Sequence, residues 1–137
     1  MKKSLKAVVR GSVNALYIFI GLCICGSACS VPLKPAGIFS NMEYHQESGD
    51  VDGFEFTFVY SKEGYFVLYQ YSNGEPEEPQ LVPLKIQGAD FEFTLPVRGE
   101  FFGKFVGKFT SAGVQGSFKN APGVNVKLRR GRSYWQR

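Results

Sequence analysis

Few side chains in this sequence could carry out chemistry. All three cysteines, Cys23, Cys25 and Cys29, stand in one stretch, "GLCICGSACS", and His45 is the only histidine. Carboxylates gather in "GDVDGFE" (Asp50, Asp52, Glu55) and in "GEPEEP" (Glu75, Glu77, Glu78). A thiolate metal site needs a fourth ligand and a polar second shell, but these cysteines lie in or just after the apolar run "ALYIFIGLCIC". A disulfide framework uses an even number of cysteines spread through the fold, and a Cys-x-Cys pair closes too short a loop to staple anything. His45 stands in an irregular stretch, so a triad would hang on one loop residue. Asp50, Asp52 and Glu55 lack the length and ligand positions of an EF-hand loop and read as a polar turn before a strand. Glu75, Glu77 and Glu78 read as a solvated charge run. Glu55 and Glu92 could pair for glycoside chemistry, but both alternate with phenylalanines and should face outward on strands. These residues point away from an enzyme, and they imply no cofactor and no metal.

The cysteines make sense as part of an export signal. Lys2, Lys3, Lys6 and Arg10 form a basic start, Ala15 to Ile24 an apolar core, and "GSA" places small residues before a cut after Ala28. The apolar run falls short of the ~20 residues of a membrane span. "GSAC" followed by Ser30 resembles the lipobox of bacterial lipoproteins, with Gly26 standing where that family usually has Leu or another aliphatic residue. The resemblance implies that Cys29 becomes the first mature residue and carries acyl chains. Ser30, rather than Asp, implies sorting to the outer membrane. Ordinary cleavage at the same site is the alternative, leaving a soluble periplasmic or secreted protein. Both place the protein outside the cytoplasm, in the cell envelope or beyond.

Removing residues 1–28 leaves 109 of 137, one small domain. The formal charge of +4 belongs to the signal, which carries four of the 16 basic residues; the rest balance the 12 acidic ones. Nothing here argues for nucleic acid. The charge is nevertheless divided along the chain, with acidic residues concentrated between Asn41 and Glu92 and basic ones between Phe93 and Arg137. Either the two halves neutralise each other across strand pairs, or the surface is dipolar, with a basic end that meets an anionic partner.

Period-two alternation runs through most of the chain and predicts an all-β domain. Residues 29–50 contain Pro32, Pro35 and Gly37 and read as an irregular tether, with room for a short strand around Ile38 to Tyr44. Beyond them, "FEFTFVY" sets Phe54, Phe56, Phe58 and Tyr60 on one face, and "SKEG" turns into "YFVLYQY". The loop "SNGEPEEP" leads to "LVPLKIQ", whose Pro83 suggests an edge or a bulge. "FEFTLP", "FFGKFVGKFT", "VQGSFK" and "VNVKLRR" follow, the last with Val124, Val126 and Leu128 in alternation. About seven antiparallel strands over residues 51–137 form a meander, closed as a barrel or half-barrel or else split into a two-sheet sandwich. Gly103, Gly107 and Gly116 mark points where a curled sheet needs small residues.

Two sets of residues suit binding. Tyr65, Tyr69 and Tyr71 share one face of a strand and Phe66 and Leu68 the other, so the tyrosines form either an exposed amphipathic stripe or part of the core. The tail "KLRRGRSYWQR" joins Arg129, Arg130, Arg132 and Arg137 to Tyr134 and Trp135, the only tryptophan. Arginine forks suit phosphate or carboxylate, and Tyr and Trp suit a water–lipid boundary; the rival role for the aromatics is to fold back and plug a barrel end. This ending resembles that of small secreted bacterial proteins whose last strand runs into a basic residue, Gly and Ser-Tyr-Trp, a resemblance that brings no activity with it. The expectation is a membrane-anchored, non-catalytic β domain that binds anionic lipid or an envelope polymer, with a structural envelope component or a hydrolase accessory as alternatives.

Overall fold

A computed structural model describes residues 34–136. The expected signal segment, Cys29 and Arg137 lie outside them. The described chain forms nine strands: β1 (Gly37–Ser40), β2 (Glu43–Tyr44), β3 (Val51–Ser61), β4 (Gly64–Pro76), β5 (Gln80–Gln87), β6 (Asp90–Leu95), β7 (Gly103–Thr110), β8 (Gly113–Phe118) and β9 (Ala121–Gly131). From β3 to β9 each strand pairs antiparallel with the next. The ring closes through β1, which pairs with β9 at Phe39↔Arg130 and with β3 at Phe39↔Phe56. The result is an eight-stranded closed antiparallel barrel, with β2 as an extra strand against the start of β3.

The strand count exceeds the seven expected because the stretch read as an irregular tether, with room for a short strand around Ile38 to Tyr44, supplies β1 and β2. β1 earns its place through Phe39, which is 1 % exposed and packs against Phe58 and Phe109 at 5.1 and 6.2 Å across the seam. One aromatic on a four-residue strand fills the gap between β9 and β3. Pro83 does not mark an edge, since β5 lies between β4 and β6; pairing with β6 begins at Leu84, immediately after it. β4 runs on to Pro76, into the stretch expected to be loop, and Val124 is exposed because the β8–β9 register slips after Gly116.

Inward residues follow the period of two on every long strand: Phe54, Phe56 and Phe58 on β3; Phe91, Phe93 and Leu95 on β6; Phe105 and Phe109 on β7. Phe56 sits in the middle, meeting Phe93 and Phe105 edge-on at 5.4 Å. Phe93 and Phe105 stack at 4.9 Å. Burial of each ring contributes ~1.5–3 kcal/mol, with ~0.5–1.5 kcal/mol more for a well-placed aromatic pair. The rings fit because Gly107 and Gly116 face each other across β7 and β8. A Cβ on Gly107 would lie 2.5 Å from Phe91's ring, and one on Gly116 2.7 Å from Phe105's. These two small residues make room for the neighbouring rings of Phe91 and Phe105.

Candidate functional site

The C-terminal segment does not plug a barrel end. After β9 it crosses the outer wall at the β1 seam and ends in a 3-10 turn, Tyr134–Gln136. Glu55 and Gln70 are cross-strand neighbours on β3 and β4. Ser133 Oγ donates to Glu55 Oε1 at 2.7 Å, and the Tyr134 backbone N–H donates to Glu55 Oε2 at 2.8 Å. Trp135 Nε1 donates to Gln70 Oε1 at 2.7 Å. Ser133 Oγ also accepts the Trp135 backbone N–H at 3.2 Å, as a helix-capping serine does.

Glu55 therefore faces outward, as its alternation with phenylalanines implies, yet only 5 % of it is exposed. It is buried because the tail lies over it. Both carboxylate oxygens are occupied by tail donors, which makes Glu55 the anchor of a latch. The alternation within "FEFTF" fixes which way Glu55 points; the residues that cover it are distant in sequence.

Arg130 is committed too. Its guanidinium lies 4.5 Å over the Phe39 ring and donates to the backbone carbonyls of Ala36, at 2.8 Å, and Lys34. It clamps the incoming chain where the barrel begins. Arg129 and Arg132 are exposed, Tyr134 is half-buried against Trp135, and Trp135 is 46 % exposed.

Of the two faces open to the tyrosine stripe, the structure takes the inward one. Tyr69 and Tyr71 are buried and Tyr65 packs against the core. Phe66 and Leu68 face out instead, beside Pro83 and Leu81 on β5. Burial pushes the Tyr71 hydroxyl up to about 12, helped by the neighbouring Glu100. Burial raises Tyr69 further still, with Glu77 the largest charged contributor.

These tyrosines look toward one end of the barrel, where the chain sets its carboxylates. Asp50 and Asp52 start β3, Glu75, Glu77 and Glu78 lie at the β4–β5 turn, and Glu100 lies between β6 and β7. Glu77 Oε1 accepts the Glu100 backbone N–H at 2.9 Å, and Asn73 Nδ2 donates to Glu100 Oε2 at 3.3 Å. On the hairpin above, His45 Nε2 lies 3.1 Å from Asp52 Oδ2, both half-exposed, while Asp52 Oδ1 accepts the Gly74 N–H at 2.8 Å. Asp52 thus orients the imidazole. Glu55 takes no part in this pair, since both its oxygens accept from the tail.

Basic side chains dominate the wall of β7, β8 and β9. Lys108 pairs in register with Gln115, and Gln115 with Lys127. Two open grooves of about 530 and 420 Å³ share Gln115 and Lys127, and Arg129 lines the larger. The acidic and basic parts meet at Glu92, which lies 2.6 Å from Lys104 and 3.8 Å from Lys85. The hydrogen bond from Lys104 holds the Glu92 carboxyl below its ordinary value. Among the described residues the lysine–carboxylate ion pairs are the two at Glu92, so little of the remaining charge is neutralised in close pairs.

The fold thus defines a class: a small closed eight-stranded antiparallel barrel with an aromatic interior. Comparisons with protein families, curated proteins and solved structures return no match to this chain.

Proposed function

We propose that this protein is exported, is held in the bacterial envelope by acyl chains on Cys29, and acts by binding through its outer surface. The observation that carries the binding reading is the charge division of the outer surface around an interior packed with rings. With Phe56, Tyr69, Phe93, Phe105 and Phe118 filling the barrel, the groups left to meet a partner lie on the wall and at the ends. The tail enters this reading differently from the expectation above: Ser133, Tyr134 and Trp135 hold the wall together, while Arg129 and Arg132 are the members of that segment turned to solvent. Mass spectrometry of the mature protein should find an acylated N-terminal Cys29, and Cys29→Ser should release it from membranes. A product beginning at an unmodified Cys29 would overturn the anchor and keep export; an intact Met1 would overturn both.

The oriented His45–Asp52 pair favours a second reading, a hydrolase accessory using His45 as a base. It predicts a hydrolytic activity that His45→Ala abolishes without unfolding the barrel. Activity that survives the substitution would remove it.

A further inference from the structure

We infer that one end of the barrel is built to rest on an anionic bilayer, with the acidic end directed away from it. The inference deepens the proposed function and takes its orientation from the Cys29 anchor. The registers assign each turn to an end. The described chain enters beside the Ser61–Gly64 hairpin, because Gly37 pairs with Phe58. Around the ring the same end collects the β5–β6 turn, the β7–β8 turn and the close of β9. The opposite end collects the start of β3, the β4–β5 turn and the β6–β7 loop.

Exposed cations occupy the entry end: Lys34, Lys62, Lys108, Arg129 and Arg132. Glu63 and Asp90 are its acidic members. The far end holds Asp50, Asp52, Glu75, Glu77, Glu78 and Glu100, and its exposed cations are Arg98, Lys104 and Lys119. Charges so placed make a dipole along the barrel axis, which an anionic surface would orient with the entry end toward itself. Tyr60 adds the second feature of a head-group contact. It is 68 % exposed beside the entry-end hairpin, its ring 4.8 Å from Tyr65's, and tyrosine favours the boundary between water and lipid.

The tether agrees in position. Arg130 pins the chain at Lys34 and Ala36 on this same end. Cys29 precedes Lys34 by five residues, a contour of at most ~17 Å. An acylated Cys29 would therefore keep the cationic end, rather than the acidic one, within reach of the head groups.

The test uses the full chain carrying Cys29→Ser, so that no acyl chain contributes and every variant shares the same N-terminal segment. Binding to phosphatidylcholine vesicles with and without phosphatidylglycerol is measured at low and high salt. Lys62→Glu with Arg129→Glu changes charge at the entry end; Arg98→Glu with Lys119→Glu makes the same change at the far end. All four side chains are exposed, and circular dichroism checks that each fold is intact. Each cation removed near an anionic surface weakens binding about fivefold, so the entry-end pair should lower the phosphatidylglycerol-dependent part at least ~20-fold and flatten its salt dependence. The far-end pair should leave it unchanged or strengthen it. Equal losses from both pairs, or none from either, would overturn the inference. So would reversals that cut retention on a soluble polyphosphate while sparing vesicles, which would assign the end to an anionic polymer. Entry-end dependence together with an unmodified Cys29 in cells would keep the surface and remove the anchor.

Discussion

Replacing Glu55 with alanine tests the latch directly. The carboxylate is nearly buried and accepts two hydrogen bonds, at 2.7 and 2.8 Å. Bonds to a charged acceptor contribute about 1.5–3 kcal/mol each. Against them stands the ordering of residues 132–136, which costs about 1 kcal/mol or more per residue. The Trp135–Gln70 bond returns roughly 1 kcal/mol. The net docking energy of the segment is then at most about 2 kcal/mol, reached with bonds at the strong end of their range, and that value caps the cost of Glu55→Ala. Once the carboxylate is gone the tail can peel away, and Ser133 and Tyr134 find water instead of staying buried unpaired. Deleting residues 132–137 should cost the same, at most ~2 kcal/mol, and Glu55→Ala in the shortened chain should be neutral within ~0.5 kcal/mol. Urea unfolding followed by circular dichroism measures all four corners of the cycle. Because Trp135 is the only tryptophan, its emission and anisotropy in Glu55→Ala without denaturant report detachment while the barrel stays folded. A full-length Glu55→Ala of wild-type stability would refute the latch, as would an equal loss with and without the tail.

Two further outcomes follow from the interior. Phe56→Ala removes a ring with no exposure from the centre of the aromatic cluster and should lower stability by ~3–5 kcal/mol in the same unfolding assay; a loss below ~1 kcal/mol would contradict a close-packed aromatic interior. On alkaline titration, Tyr71 should ionise near 12 and Tyr69 later, against 10.0 for an unperturbed tyrosine. Between those values the unfolded chain has released protons that the folded chain retains, so stability is fully present below pH ~10 and falls as pH rises toward the folded value. Phenolate absorbance reaching full amplitude near pH 10 with the circular dichroism unchanged would contradict the burial of both side chains.

The sequence by itself determined the fold class and most of the interior. Period-two alternation in "FEFTF", "FEFTL" and "KFVGKF" assigns one set of side chains to a buried face, since a strand turns successive residues to opposite sides. That rule is local, so Phe56 and Phe93 were legible as core, and Gly107 and Gly116 as points of constraint. The rule failed where a residue's neighbour is distant in the chain. Alternation placed Glu55 outward correctly but could not reveal Ser133 and Tyr134 lying over it. Nor could it decide whether Tyr69 and Tyr71 faced in or out, since both faces of that strand carry aromatic or aliphatic residues and only closure of the sheet distinguishes them. β1 was the faintest case: four residues carry too little pattern to assert a strand, and Phe39 becomes a closing residue only when β3 and β9 arrive on either side. The charge division was plain in the sequence as two halves of a chain. Only the registers of the closed sheet show that Asp50, Glu77 and Glu100 share one end of the barrel and Lys62, Lys108 and Arg129 the other, because register assigns each turn to an end.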